Sequence, residues 1–217
     1  NSVRSWPTEW PKQYAADMSE ARQYVPVEKH PWPPFVPAGA ELIFLGTFPP
    51  PGNRWGMDFF YPNRTNDFWK VMGLIFEGST AAFYDAESRS FRLDAIKRML
   101  VDRHIAMGDT AVEVRRLRGN ASDKFLEIVR SIDLDATVAS IPDLKAIVTT
   151  GEKAASVIAR LTGTQIPPTG GFEQWTTSDG RELRLYRMPS TSRAYPLAVE
   201  KKAEYYRNMF NELGILH

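Results

Sequence analysis

The chain has 217 residues, 43% hydrophobic and 24% charged, enough for one sizeable domain with or without an extension. Twenty-seven basic residues against 26 acidic ones leave a net charge of +1, so no global field draws nucleic acid or membrane to it. The absence of cysteine excludes disulfide scaffolds, thiolate catalysis, sulfur-ligated zinc and four-cysteine iron–sulfur clusters, and the three histidines (His30, His104, His217) are too scattered to suggest a histidine-rich metal centre.

Ten of the sixteen prolines fall within residues 1–51, together with Trp6, Trp10 and Trp32. Dense proline favours extended chain and turns, whereas tryptophan is wasted on a tail that packs against nothing. The expectation is an arm over 1–40, helical at about 12–24, lying on a domain that spans 41–217. The opening residues lack a charged start followed by an apolar core, and the apolar runs fall far short of the roughly 20 residues that cross a bilayer. A reducing cytoplasm and no membrane partner are therefore expected.

After the arm, short apolar runs alternate with helical periodicity. LIFLG (42–46) reads as a buried strand, and Phe68, Trp69, Met72, Ile75 and Phe76 recur at helical spacing within 66–76. A second helix is expected over 91–101 and a strand at 104–108. Asn120 looks like the cap of a further helix, with Asp123 in its first turn and Phe125, Ile128 and Val129 on its apolar face. LKAIVTTG (144–151) is a third strand, followed by a helix over 152–161. Two strands, 174–177 and 182–187, flank the turn Ser178-Asp-Gly-Arg, and a helix over 198–213 closes the chain. This alternation predicts an α/β fold, a three-layer α/β/α arrangement around a mostly parallel sheet. Ligands bind beyond the carboxyl ends of such strands, which singles out 47–66, 109–120, the Gly151 turn and 189–195.

In order along the chain these segments read GTFPPPG (46–52), FFYPNRTNDFW (59–69), IVTTGEKAA (147–155) and MPSTSRAYP (188–196). Together, over roughly residues 40–196, they resemble the uracil-DNA glycosylase superfamily, most nearly its mismatch-specific and hypoxanthine-DNA glycosylase branches. Asn66-Asp-Phe-Trp and Pro189-Ser-Thr-Ser are the most specific pieces.

The resemblance implies a monomeric monofunctional DNA glycosylase of base excision repair. Such an enzyme needs no cofactor or metal and acts on uracil or hypoxanthine flipped out of duplex DNA. It casts Tyr61 as the surface on which the base stacks, with Thr47 and Phe48 bordering the base and Asp109 where relatives read the base edge. Asn66 and Ser190 become the catalytic candidates, the first serving water or base and the second the leaving group. The loop containing Ser192, Arg193, Ala194 and Tyr195 would enter the vacated stack. Alternatives stand beside these roles: Asn66 is a good helix cap, Asp109 a good turn cap, and Phe59, Phe60, Phe68 and Trp69 suit a core. A locally basic stretch with Arg115, Arg116, Arg118 and Lys124, and a helix face with Lys201, Lys202 and Arg207, are candidates for phosphate contact or simply for solvated faces.

Two departures matter. Phe48 stands where many relatives place the acid or amide that activates water, and Ser190 stands where others place histidine or asparagine. A neutral hydroxyl is a weaker donor than a charge-assisted one. These departures motivate the alternative of a glycosylase-fold module that binds altered bases without cleaving them. Hydrolysis of a free nucleoside would share the chemistry but not the DNA surface. Phosphate-binding loops, dinucleotide turns and the serine-hydrolase elbow are all missing from the sequence.

Overall fold

The computed structural model describes residues 25–118 and 125–216. Its strands are β1 (Val27–Lys29), β2 (Leu42–Gly46), β3 (Tyr84–Asp85), β4 (Ser90–Phe91), β5 (Ile105–Asp109), β6 (Ala111–Arg116), β7 (Leu126–Ser131), β8 (Ala146–Thr150), β9 (Phe172–Thr176) and β10 (Glu182–Met188). The helices among the described residues are α1 (Phe68–Phe76), α2 (Leu93–Asp102), α3 (Leu134–Ala139), α4 (Glu152–Thr162) and α5 (Val199–Glu212), with a 3-10 turn at Gly52–Arg54.

The main sheet has five strands in the order β5-β2-β8-β10-β9. All neighbours are parallel except the β9–β10 hairpin, which pairs Thr176 with Glu182 around the turn. β2 and β8 are buried at every position. This explains why they read as unbroken apolar runs: a parallel strand covered on both faces has no solvent side to alternate toward. Successive residues still point to opposite faces. Leu42 and Phe44 join one hydrophobic cluster with residues of α1, α2 and α5, while Ile43 and Leu45 join another with residues of α3 and α4. The fold is thus mixed α/β around a mostly parallel sheet.

The predicted strands and helices of the main sheet are present with boundaries shifted by a few residues. Phe59, Phe60, Phe68 and Trp69 are all buried, as a core reading requires. One expected element is corrected. The helix carrying Phe125, Ile128 and Val129 does not exist; Leu126–Ser131 is strand β7, paired antiparallel with β6. The local capping signal lost to pairing, which buries Leu126 against Ala111 and Val114 and sets Ile128 opposite Val114. Asn120, Asp123 and Lys124, like the expected helix at 12–24, lie outside the described residues.

β6 and β7 form a second, three-stranded sheet with β1, in which Val27 pairs with Arg115 and Lys29 with Glu113. Phe35 then bridges Met107 at the edge of the main sheet, its backbone N–H donating to the Met107 carbonyl at 2.9 Å. Residues 27–35 are therefore stitched to both sheets. Among the described residues, no helix is long and apolar enough to cross a membrane.

The centre of the larger cluster is Phe44, fully buried on β2 and in ring contact with Phe68, Tyr206 and Phe210. Phe44→Ala should lower stability by about 3–5 kcal/mol, the usual cost of an aromatic-to-alanine cavity, as read from urea unfolding curves with an unchanged slope.

Candidate functional site

The carboxyl ends of β2, β5, β8 and β10 open into a cleft of about 920 Å³. Two loops, a helix start and a strand end complete it. The proline loop after β2 contributes Thr47, Phe48, Pro49 and Pro50, and the approach to α1 contributes Tyr61 and Asn66. Asp109 closes β5, and Ser190, Ser192, Arg193, Ala194 and Tyr195 follow β10. All ten catalytic, base-contacting and stack-entering candidates singled out from the sequence line this one space.

The floor depends on a missing side chain. A Cβ at Gly46 would collide with Asp109 Oδ1 and come within 3.2 Å of the Tyr61 hydroxyl, so glycine at the end of β2 lets both groups close over the backbone. Tyr61 holds φ at +53°, a left-handed conformation that tyrosine rarely adopts. Such strain persists where the surroundings over-determine it, and here they do. One face of the ring lies on Phe68, centroids 3.9 Å apart and planes 6° from parallel, and the hydroxyl meets Thr150 Oγ1 at 2.6 Å.

Asn66 performs the capping role foreseen for it, since its Oδ1 accepts the Phe68 N–H at 2.9 Å. That assigns the orientation of the amide and leaves Nδ2 as the donor available to a ligand. On the opposite wall the Ser192 N–H donates to Ser190 Oγ at 3.2 Å, and the Ala194 N–H to Ser192 Oγ at 3.2 Å, which folds the loop into consecutive serine turns. Phe48 is half-buried, packed on the β6–β7 cluster, and its ring meets His30 edge-on at 5.4 Å. Burial pushes the Asp109 carboxyl above the usual carboxylate range; its hydrogen bond with His30, the His30 charge and a backbone hydrogen bond to Gly46 act in the opposite direction.

The post-β10 loop is pinned from beneath. Tyr206 donates to the Pro189 carbonyl at 3.0 Å, and burial raises the pKa of that phenol. The Asp67 N–H donates to the Thr191 carbonyl at 2.8 Å. Lys202, fully buried, donates to Asp67 Oδ2 at 2.8 Å and to the Ser192 carbonyl at 3.1 Å. Its expected place on a positive outer face of the last helix is therefore corrected: the lysine points inward because a buried carboxylate awaits it. Lys201 is exposed and paired with Glu204.

Arg115 and Arg116 do not line the cleft. The expected basic loop is strand β6, in which Arg115 faces Glu127 at 3.8 Å. Arg116 makes a two-pronged contact with Glu28, at 3.1 and 3.0 Å, and donates to the Pro49 carbonyl at 3.1 Å. Its side chain is only 8% exposed, so it braces the proline loop rather than an outer face. Some residues at the site carry no signal of it in the sequence. Thr150 and Arg54 line the cleft, and His30 holds Asp109 from behind. His30 lies 79 residues from its partner, and no local pattern marks such a pair.

Asp67 supplies a stability test with a defined sign. Burial works to raise its pKa, but hydrogen bonds and charges from Lys202 and Lys70 outweigh it and hold the carboxyl below its ordinary value of 3.8. A depressed carboxylate stabilises fully above the unfolded value and loses that contribution as pH falls through the folded one. Asp67→Asn leaves a buried ammonium uncompensated and should cost about 3 kcal/mol at neutral pH. In urea titrations that deficit should shrink only below pH 3.8, as the native carboxyl takes up its proton.

No family model and no curated protein matches the chain. Among solved structures it is similar to a solution NMR structure of a protein named as a candidate uracil DNA glycosylase from Methanosarcina acetivorans. The two are 18% identical with a TM-score of 0.54, over 87% of this chain and 99% of that one. At that identity the likeness is one of fold, and the fold is uracil-DNA-glycosylase-like.

Proposed function

We propose that the protein is a monofunctional DNA glycosylase that hydrolyses the N-glycosidic bond of a deaminated or mismatched base, uracil or hypoxanthine, in duplex DNA during base excision repair. The observation that carries this reading is the convergence of Tyr61, Asn66, Asp109 and Ser190, from three separate segments, on one cleft at the carboxyl ends of a parallel sheet. The resemblance to the mismatch-specific and hypoxanthine-DNA glycosylase branches and a three-layer α/β/α arrangement belong to the same proposal. So do a monomeric state, a cytoplasmic location, the absence of a cofactor, and the division into an arm of residues 1–40 and a domain of 41–217.

The reaction breaks the bond between C1′ of the deoxyribose and the base nitrogen, and the bonding pair leaves with the base. Positive charge grows on the sugar and negative charge on the base. Water oxygen then bonds to C1′ and loses a proton, and the departing base gains one. Extrusion costs a few kcal/mol, recovered by a pocket that fits the base. Tyr61 offers the aromatic wall, bordered by Thr47 and Phe48. Asp109 accepts from the edge of the base. Asn66 Nδ2 donates to water or to the base, and the Ser190 hydroxyl stabilises the charge that leaves with the base. Ser192, Arg193, Ala194 and Tyr195 are the loop that meets the duplex. Arg193 and Tyr195 are exposed and larger than Ala194, so they fill the gap in the stack and contact phosphate.

A second reading is favoured by Phe48. Its ring packs against His30 and the small β6–β7 cluster, so the position supplies no acid or amide to water. A module that binds an altered base without cleaving it fits that substitution.

A gel assay distinguishes the two readings. Fluorescent duplexes carrying uracil, hypoxanthine, xanthine or a G·T mismatch are incubated with the protein, and abasic sites are cleaved with alkali. Product from an altered base, reduced about 10²-fold or more in Asn66→Ala, is expected for the enzyme. Lesion-dependent binding with no product from any duplex would instead establish the non-cleaving reader. Binding that weakens steeply with added salt would separate a DNA ligand from a free nucleoside.

A further inference from the structure

His30 was not among the site candidates, yet its ring is enclosed behind the cleft. Nε2 lies 2.8 Å from Asp109 Oδ2, and each of the two side chains is only 9% exposed. The ring meets Phe48 edge-on at 5.4 Å and Trp32 at 5.8 Å, and lies tilted 31° to Phe60 at 5.8 Å. Its backbone N–H donates to the Val112 carbonyl at 2.8 Å. Backbone pairing and three aromatic neighbours thus set both the position and the tilt of the imidazole.

The second ring nitrogen fixes the proton count. Nδ1 lies 2.7 Å from the Trp32 carbonyl oxygen, and a carbonyl can only accept, so this shorter contact assigns the hydrogen to Nδ1. The Trp32 N–H also approaches Nδ1, but at 3.2 Å this is the longer contact. One further proton then lies between Nε2 and Oδ2. On nitrogen it makes an imidazolium–carboxylate pair; on oxygen it makes a neutral imidazole–acid pair. In both cases Oδ2 is committed to the histidine. Oδ1, above Gly46 at the cleft wall, carries no hydrogen and can only accept, while a backbone hydrogen bond from Gly46 takes up part of the carboxyl's accepting capacity.

We infer that His30 is a positioning residue that sets base specificity: by engaging Oδ2 it makes Asp109 an obligate hydrogen-bond acceptor, so that the cleft selects bases presenting a ring N–H. This inference rests on the glycosylase reading and deepens it. The discrimination follows from what deamination does to a base. Cytosine and adenine present an unprotonated ring nitrogen, an acceptor, beside their amino group. Their deamination products, uracil and hypoxanthine, present an N–H beside a carbonyl. An acceptor-only oxygen bonds the N–H of the products and faces the lone pair of the parent bases, leaving a desolvated acceptor with no donor.

Without His30 the same carboxyl would not discriminate in this way. Burial favours its protonated form, and a carboxylic acid with no partner can turn its O–H toward an acceptor as readily as its carbonyl toward a donor. The histidine removes that freedom.

The test compares His30→Phe, which keeps an aromatic ring among Phe48, Phe60 and Trp32 but removes both nitrogens, with His30→Gln, which retains an amide able to donate to Asp109. His30→Leu replaces the first variant if it fails to fold. Base release and equilibrium binding are measured on matched duplexes carrying uracil or cytosine, and hypoxanthine or adenine. For the unaltered protein the altered base is expected to be preferred. In His30→Phe that preference should narrow by about tenfold or more, while His30→Gln recovers most of it. A role in folding alone would weaken both members of each pair alike. Equal discrimination by His30→Phe and the unaltered protein, or a parallel loss on both bases, overturns the role of His30 and leaves the glycosylase reading intact. An unaltered protein that neither releases nor prefers any altered base overturns the glycosylase reading, and this inference with it.

Discussion

The carboxylate of Asp67 is the tie on which the cleft depends. It sits at the start of α1, accepts from Lys70 on that helix, accepts from Lys202 on α5, and through its own N–H holds the Thr191 carbonyl. Lys202 in turn holds the Ser192 carbonyl. Two helices and the loop after β10 are therefore fixed to one another through a single buried ion pair. A buried pair of this kind is a poor source of net stability, because desolvation of both charges offsets most of their attraction. What it supplies is placement, since Asn66 immediately precedes Asp67 and the ammonium holds the Ser192 carbonyl. The opposing walls of the cleft share one anchor.

The floor is built on a second constraint, the bare backbone of Gly46. Only without a Cβ there can Asp109 and the strained Tyr61 approach the end of β2 together. Phe68 holds the tyrosine by stacking, and Thr150 holds its hydroxyl. His30 reaches Asp109 from the far side, on a segment tied to both sheets through β1 and Phe35. Arg116 completes the bracing by joining Glu28 to the proline loop. Proline removes backbone freedom within that loop and the arginine fixes where it lies, so Thr47 and Phe48 are presented from a stiff support. The site is thus assembled from strand ends that the sheet fixes in space and from loops that polar contacts hold down.

The sequence by itself determined the order of strands and helices in the main sheet, because apolar periodicity reports local burial: the unbroken run at 42–46, ending in glycine and proline, reads as a strand covered on both faces. It also marked the loops at the carboxyl ends of the strands and most of the residues that line the cleft, since ordered motifs such as Asn66-Asp-Phe-Trp and Pro189-Ser-Thr-Ser carry their own spacing. Only the tertiary structure decided which partner each polar group meets. Leu126–Ser131 became a strand because β6 was there to pair with it, against a local capping signal for helix. Arg116 and Lys202 turned inward because Glu28 and Asp67 wait across 88 and 135 residues. His30 became part of the site because Asp109 lies 79 residues away in the chain but 2.8 Å away in space. Hydrogen bonds and ion pairs act over a few ångströms and have no sequence period, so nothing in the chain read residue by residue could announce them.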